Sequence, residues 1–191
     1  MGLRVISGTA KGRKLRSVPG DLTRPITDRV KEALFNILGA DVMDSFWWDV
    51  FGGTGAVGIE ALSRGAAFVR FTDLNRAPIE TIKTNLIETR FTSRAEVKQV
   101  NAFAFLASHS DRQFHYAYIA PPQFHELWSA ALLALDNNPD WLTDDGWAII
   151  QIAPKEYQRL SLNSLEEFDQ RKYGSTLLTF YRRSQNLAGV Q

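Results

Sequence analysis

Cysteine is absent from this sequence, and histidine is scarce. Without thiols the chain cannot form disulfide bonds, a thiolate nucleophile, an iron–sulfur cluster or a cysteine-based zinc site. The three histidines, His109, His115 and His125, do not show the i, i+4 spacing of a helical metal site. The sequence therefore predicts no bound metal.

Long hydrophobic runs are also missing. No stretch approaches the roughly 18 consecutive apolar residues of a membrane-spanning helix, and the amino terminus lacks the apolar region of a signal peptide. Hydrophobic residues nevertheless make up 45% of the 191 residues and charged residues 23%, which is ordinary globular usage. We therefore expect a cytoplasmic protein with no membrane contact and one main domain.

The net charge is close to zero, at +1, but it is unevenly distributed. Residues 1–40 carry eight lysines and arginines against three acidic residues, a net +5. Within them, basic residues crowd into one short stretch: Lys11, Arg13, Lys14 and Arg16. Such a cluster suits contacts with nucleic-acid phosphates, which release counterions, although a solvated hairpin can carry the same charges. Charge alone leaves both interpretations open.

Short apolar runs alternate with helical patterns along most of the chain. Residues 3–18 predict a two-stranded hairpin around the turn at 8–12. Thr27-Asp28 opens a helix with one apolar stripe, which ends at Gly39. The candidate strands are residues 46–51, 68–72, 96–100, 116–119 and 147–152, and the candidate helices are residues 57–64, 78–88, 102–107 and 126–135.

This alternation predicts an α/β protein with a Rossmann-like fold, in which helices cover both faces of a mostly parallel central sheet. Residues 175–182, after the turn Tyr173-Gly174, predict an antiparallel terminal hairpin on that sheet. We expect a basic amino-terminal β-hairpin in residues 1–22, the Rossmann-like domain in residues 23–183, and a disordered tail in residues 184–191.

A glycine-rich loop joins the first strand of this domain to its helix. Gly53, Gly55 and Gly58 satisfy G-x-G-x-x-G in a strand–turn–helix context, which predicts a nucleotide-type cofactor at the helix start. Asp73 closes the next strand, where a carboxylate can accept hydrogen bonds from both ribose hydroxyls of an adenosine. These features fit both NAD and S-adenosylmethionine.

Two further features favour S-adenosylmethionine. The rest of the chain is too short for the substrate domain of a typical dinucleotide oxidoreductase, and Asp49-x-Phe51-x-Gly53-x-Gly55 resembles the first motif of Rossmann-like methyltransferases. Asn101 stands where that superfamily often has an aspartate that reads the adenine amino group. The cofactor residues expected here are Asp49, Phe51, Gly52, Gly53, Thr54, Gly55, Gly58, Asp73, Asn101 and Ala102.

Three stretches resemble one family more closely. Residues 23–38, with Gly8 and Lys11-Gly12-Arg13 before them, are similar to the amino-terminal region of the RsmD family, and residues 60–66 and 173–176 look like its continuation. This family comprises bacterial methyltransferases of guanine N2 in small-subunit ribosomal RNA. The resemblance implies a methyltransferase domain over residues 23–183, and an RNA or assembled-subunit partner.

The resemblance also assigns roles to residues that composition does not mark. Arg24, Pro25 and Thr27 would cover the cofactor. The hairpin with Lys11, Arg13, Lys14 and Arg16 would bind RNA. We expect the protein to act as a monomer.

The family motif after the fourth strand of the domain is altered in this chain. The family has Asp or Asn, then Pro-Pro, then an aromatic residue, whereas this chain has Ala120-Pro121-Pro122-Gln123-Phe124. An exocyclic base amine is a poor nucleophile, and these enzymes bind its hydrogens with a side-chain oxygen and a backbone carbonyl. Ala120 cannot accept such a bond, so the expected catalytic group is the Pro121 carbonyl, the Gln123 amide and a stacking Phe124 around the rigid Pro122.

The leading hypothesis is an S-adenosylmethionine-dependent methyltransferase acting on a guanine N2 in small-subunit ribosomal RNA. One alternative is a weakened or inactive relative that binds RNA as a ribosome-assembly factor. A DNA amino-methyltransferase shares the Pro-Pro chemistry but generally needs an added target-recognition region. An NAD-binding oxidoreductase remains a further alternative.

Overall fold

The computed structural model describes residues 2–20, 26–123 and 126–184. The chain forms two compact units, Met1–Asn101 and Ala102–Gln191. The division that we predicted at residues 22 and 183 remains a prediction. All of the predicted disordered tail except Ser184 lies outside the described residues.

In its described residues, the first unit contains three parallel strands and three α-helices. The elements are α1 (Asp28–Leu38), β1 (Phe46–Asp49), α2 (Ala56–Ser63), β2 (Phe68–Asp73), α3 (Arg76–Thr89) and β3 (Ala95–Gln99). The strand β2 lies between β1 and β3, and both pairs are parallel. The three strands therefore end at the same edge, which is where parallel α/β sheets bind ligands.

Helix α1 begins and ends where the sequence predicts. The Thr27 hydroxyl accepts a hydrogen bond from the Val30 N–H at 3.3 Å and caps the first turn. Gly39 follows the last helical residue, Leu38. The buried face of the helix carries Val30, Lys31, Leu34, Phe35 and Leu38. This face packs into the core of the unit, where Phe35 stacks on Trp47 with ring centroids 5.4 Å apart.

Residues 3–18, which we call the arm, fold back on themselves as a hairpin turn, but an isolated bridge and a few hydrogen bonds join its two sides in place of the two strands that the sequence predicts. Arg4 forms an antiparallel bridge with Lys14. The Val5 N–H donates to the Arg13 carbonyl, and the Gly12 N–H donates to the Val5 carbonyl, both at 2.9 Å. A hairpin this short has little stability alone, so its contacts with the helices of the unit decide its position.

The turn of the arm is held on α2. The Glu60 carboxylate accepts the N–H groups of Ile6 and Ser7 at 2.8 and 2.9 Å. Gly8 lies so close to α2 that a Cβ there would stand 1.8 Å from the Ser63 carbonyl oxygen. The arm therefore requires glycine at this point of contact.

Glu60 also forms the centre of a buried ion-pair network. Its side chain is fully buried, with the Lys31 ammonium at 3.3 Å and the Arg64 guanidinium at 2.9 Å. Burial lowers the pKa of Lys31, and the charge of Glu60 opposes that effect. Removing one member of such a network leaves a buried charge without its partner.

The described part of the second unit contains two α-helices and four strands. The elements are α4 (Ala102–Leu106), β4 (Phe114–Ile119), α5 (Leu127–Asn137), β5 (Leu142–Ile152), β6 (Leu165–Tyr173) and β7 (Thr176–Arg183). The strand β5 pairs with β4 in parallel and with β7 in antiparallel orientation. The strand β7 also pairs with β6, again in antiparallel orientation. The predicted terminal hairpin is thus present as β6 and β7.

Strand β5 begins at Leu142, five residues before the predicted start at 147. Leu142 pairs with Phe114, and the next paired residues are Trp147 and Tyr116. The intervening residues 143–146, Thr-Asp-Asp-Gly, bulge out between these pairs. Because polar residues and glycine are typical of a turn, the sequence pattern does not reveal that the strand already begins at Leu142.

Candidate active site

The glycine loop, residues 50–55, joins β1 to α2. It lies at the edge of the first unit where the parallel strands end, and its glycines leave backbone atoms open to a ligand. Gly53 has a φ of 52°, in the left-handed region that favours glycine. The Gly55 N–H donates to the Gly52 carbonyl at 2.7 Å, and the Gly52 N–H donates to the Thr72 carbonyl, also at 2.7 Å. The loop is therefore closed on itself and tied to β2.

The glycines of this motif have different surroundings. A Cβ on Gly58 would lie 2.4 Å from the Phe71 ring, so this glycine permits close packing of α2 on β2. A Cβ on Gly53 would meet nothing nearer than the Phe51 carbonyl oxygen at 3.9 Å. The open side of the motif is thus at Gly53.

Asp73 lies beside that open side. Its carboxylate accepts the Gly53 N–H at 3.1 Å and the Asn75 N–H at 2.9 Å. A carboxylate has about four acceptor positions, so Asp73 keeps capacity for further donors such as ribose hydroxyls. The structure brings Asp73 and the loop together as the motif predicts, and the role of Asp73 toward a cofactor remains a prediction.

Asp49 has a more enclosed position at the end of β1. It is buried, and its carboxylate accepts the Gly58 N–H at 3.4 Å. Burial raises the pKa of Asp49 well above its ordinary value, the Gly58 bond opposes this, and the charge of Asp73 adds to it. A cation nearby would favour the ionised form.

Trp48 and Thr72, which the sequence does not mark as site residues, stabilise the glycine loop by hydrogen bonds. The Trp48 indole N–H donates to the Thr72 hydroxyl at 2.9 Å, and this hydroxyl donates to the Val50 carbonyl at 2.7 Å. Both side chains are fully buried. In the sequence, Thr72 is the hydroxyl residue of β2 that directly precedes Asp73, and this position is the signal that could have pointed to these hydrogen bonds.

Of the three residues predicted to cover the cofactor, the structure describes only Thr27. Arg24 and Pro25 lie outside the described residues. Thr27 is exposed and uses its hydroxyl to cap α1. Its assignment to the cofactor stays a prediction.

The other predicted cofactor residues fall at the loop and after β3. Phe51 is half-buried, and Thr54 is buried with its carbonyl accepting the Asn85 side-chain amide at 2.9 Å. Asn101 is exposed at the end of the first unit, and the buried Ala102 opens α4 in the second. Their contacts with a cofactor remain predictions.

The altered proline motif directly follows β4 in the second unit. Ala120 is half-buried, Pro121 is buried, Pro122 is exposed and Gln123 is half-buried. Phe124 lies outside the described residues. The sequence prediction for this motif, with the Pro121 carbonyl and Gln123 as acceptors, stays a prediction.

The basic cluster lies on the arm with its charges in solvent. Lys11, Arg13 and Lys14 are exposed. Arg16 is also exposed, but its guanidinium pairs with Glu88 of α3 at 2.6 Å. Phosphate binding at Arg16 therefore competes with a carboxylate.

The family is decided by comparison with known proteins. The family model described as Conserved hypothetical protein 95 matches residues 3–182. Ribosomal RNA small subunit methyltransferase D of Haemophilus influenzae is 33% identical over 186 residues, which are 96% of this chain and 94% of the relative. The chain belongs to the RsmD family.

Two further relatives show a similar sequence identity and coverage. YlbH of Bacillus subtilis, provisionally named an rRNA methyltransferase, is 34% identical over 95% of this chain and 99% of its own length. The solved structure of yhhF of Escherichia coli, provisionally named a methyltransferase, superposes with a TM-score of 0.84 and 31% identity over 96% of this chain and 98% of that one. The predicted Rossmann-like methyltransferase fold is confirmed.

The described residues show neither a membrane-spanning helix nor a cluster of metal-binding side chains. None of the described helices is long and apolar enough to cross a bilayer. The described ranges contain no group of three or more histidine, aspartate and glutamate side chains that would hold a metal ion. The expected cytoplasmic location, monomeric state and absence of metal stay predictions.

Proposed function

We propose that this RsmD-family protein transfers a methyl group from S-adenosylmethionine to the N2 of a guanine in small-subunit ribosomal RNA. The observation that carries the proposal is the match to ribosomal RNA small subunit methyltransferase D of Haemophilus influenzae over 96% of this chain and 94% of the relative. The family model matches residues 3–182, and this range includes the glycine loop, the proline motif and the arm. Each region then receives a role that its residues can perform.

The first unit fits S-adenosylmethionine by its open glycine and its acidic strand end. Asp73 would accept the ribose hydroxyls, and Gly53 would let the ligand approach the backbone. Asp49 would support the loop at the methionine end, where a cation would favour its ionised form. When bound, S-adenosylmethionine supplies an electrophilic methyl group on its sulfonium.

The proline motif would bind and orient the guanine amine. The lone pair of this amine is delocalised into the ring, so acceptors for its hydrogens raise its nucleophilicity. The Pro121 carbonyl and the Gln123 amide oxygen would serve as those acceptors, and Phe124 would stack on the base. Orientation of the amine, rather than acid–base chemistry, is then the main contribution of the chain.

The arm would bind the phosphates of the RNA. Lys11, Arg13 and Lys14 are exposed on a hairpin that Glu60 holds against α2. A fixed cluster of cations loses less freedom on binding than a mobile one, and this favours affinity. Assembled small subunits and naked ribosomal RNA both offer such phosphates.

A second candidate function is a binding protein for ribosome assembly that has lost methyl transfer. Ala120 is the observation that favours it, because an alanine side chain cannot accept the amine hydrogen. Losing one positioned transition-state hydrogen bond commonly costs about 10²–10³ in rate. A slow enzyme and a binding protein are therefore the two outcomes to separate.

The test is transfer of a tritiated methyl group from S-adenosylmethionine to unmethylated small-subunit RNA and to assembled small subunits. We expect label on a guanine N2 with the natural protein, and loss of both label and cofactor binding with Asp73→Ala. Asp144→Ala, at a fully exposed position, is the matched control. Binding of cofactor and RNA without transfer would instead support the assembly factor, and transfer to DNA alone or binding of NAD alone would contradict both.

A further inference from the structure

Asn85 is a polar residue on the apolar face of α3. It is fully buried and shares that face with the buried Ile82 and Leu86. An asparagine at such a position loses its contacts with water, so it must find hydrogen-bond partners inside the protein.

The side-chain amide of Asn85 bonds to two distant segments at once. Its Oδ1 accepts the Arg16 N–H at 2.8 Å, and its Nδ2 donates to the Arg16 carbonyl at 3.1 Å. The same Nδ2 donates to the Thr54 carbonyl at 2.9 Å. One amide therefore joins both backbone groups of an arm residue to the backbone of the glycine loop.

The amide group is planar, so its three bonds are not independent. A shift of Thr54 must either carry the amide with it or break a buried hydrogen bond, and a buried unsatisfied group is costly. If the amide turns, both bonds to Arg16 change. The position of the glycine loop is thus linked through α3 to the position of the arm.

We propose that Asn85 is a positioning residue that couples cofactor binding at the glycine loop to RNA binding by the arm. A ligand that orders one segment orders the other through this amide, so the second ligand loses less conformational freedom. Each ligand then raises the affinity for the other by the same factor. This inference takes its two ligands from the proposed function and adds the residue that connects them.

The test measures the affinity for S-adenosylhomocysteine by calorimetry, with and without a saturating fragment of small-subunit RNA. For the natural protein we expect RNA to raise this affinity about fivefold or more. Asn85→Ala should bind both ligands more weakly. The ratio of the affinity for S-adenosylhomocysteine with RNA to the affinity without RNA should fall close to one in this variant. A merely structural Asn85 would weaken both affinities and leave the ratio unchanged.

Glu88→Gln is the matched control. It lies on the same helix and removes the ion pair with the Arg16 side chain, but it leaves the Asn85 bonds to the backbone intact. We expect the ratio of the natural protein. Should Asn85→Ala fold poorly, Asn85→Asp keeps an acceptor for the Arg16 N–H and loses both donor bonds, and it should also bring the ratio close to one.

Hydrogen exchange without any ligand gives a second readout. Asn85→Ala should speed exchange of the Arg16 amide and of the amides of residues 53–55 together, whereas Glu88→Gln should speed neither. Faster exchange in only one segment, a ratio of one in the natural protein, or an unchanged ratio in both Asn85 variants would overturn the coupling. Failure of the proposed function has a different signature, namely a natural protein that binds neither ligand while the linked exchange persists.

Discussion

Asp49 and Asp73 end adjacent strands, yet their surroundings give them different chemistry. Asp73 is half-buried and accepts two backbone N–H groups, at 3.1 and 2.9 Å. Asp49 is buried and accepts one, at 3.4 Å. Burial raises the pKa of Asp49, and its single long hydrogen bond offsets this effect only in part. At the residue scale, the site therefore combines one carboxylate ready to bind donors with one whose ionisation is opposed.

The raised pKa of Asp49 predicts a pH-dependent stability of the ligand-free protein. Asp49 holds its proton more tightly in the folded state than in the unfolded state. The contribution of this proton to the free energy of unfolding is therefore complete below the ordinary pKa of 3.8, and it is lost as pH rises through the higher pKa of the folded state. Urea unfolding over that range should show this loss, and Asp49→Asn should remove it. The control Asp144→Asn should keep it. Equal pH slopes for the natural protein and Asp49→Asn would show that folding does not raise the pKa of Asp49.

Ala120 gives a prediction about the rate of methyl transfer. Ala120→Asp or Ala120→Asn should raise single-turnover transfer with little change in cofactor affinity, because the added acceptor contacts the target amine. Gln123→Ala should lower the rate, since it removes the substitute acceptor. A natural protein with full activity and a Gln123→Ala variant equal to it would mean that the Pro121 carbonyl suffices.

At the scale of elements, the sequence predicts what depends on local pattern and misses what depends on distant partners. Helix α1 and the glycine loop follow from a cap, an apolar stripe and a motif within a few residues. Asn85 bonds to Arg16 across 69 positions, and Glu60 to Ile6 across 54. The periodicity of one segment contains no information about such a partner.

Glu60 illustrates the same point with a measurable effect. Glu60→Ala should lower the free energy of unfolding by about 3–5 kcal/mol, because it leaves Lys31 buried without its carboxylate. The variant should also speed hydrogen exchange of the Ile6 and Ser7 amides, which lose their acceptor. Glu80→Ala, which removes an exposed pair with Lys83, should change stability by less than about 1 kcal/mol. Equal effects of the two changes in urea unfolding would contradict this account of the network.

At the scale of the whole molecule, the net charge conceals an uneven distribution of charge along the chain. The chain has a net charge of +1, whereas residues 1–40 carry +5. Much of that excess lies on the arm, whose cations are exposed. An RNA ligand is expected to meet this region first, since phosphate contacts dominate long-range attraction.

The arm therefore predicts the salt dependence of RNA binding. Replacing Lys11, Arg13, Lys14 and Arg16 with alanine should flatten the slope of log K against log salt by about three, at roughly 0.7–0.9 per phosphate contact. Lys83→Ala, at an exposed lysine of α3, should leave the slope as it is. An unchanged slope in the fourfold variant would place the RNA surface elsewhere.

Mapping of ribosomal RNA modifications by mass spectrometry tests the central claim most directly. Small-subunit RNA would be compared from cells with the gene, cells without it, and cells that carry the Asp73→Ala form. We predict that one N2-methylguanine is present in the first and absent from the other two. The same modifications in all three, with a natural protein that still binds the RNA, would contradict methyl transfer as the function of this chain.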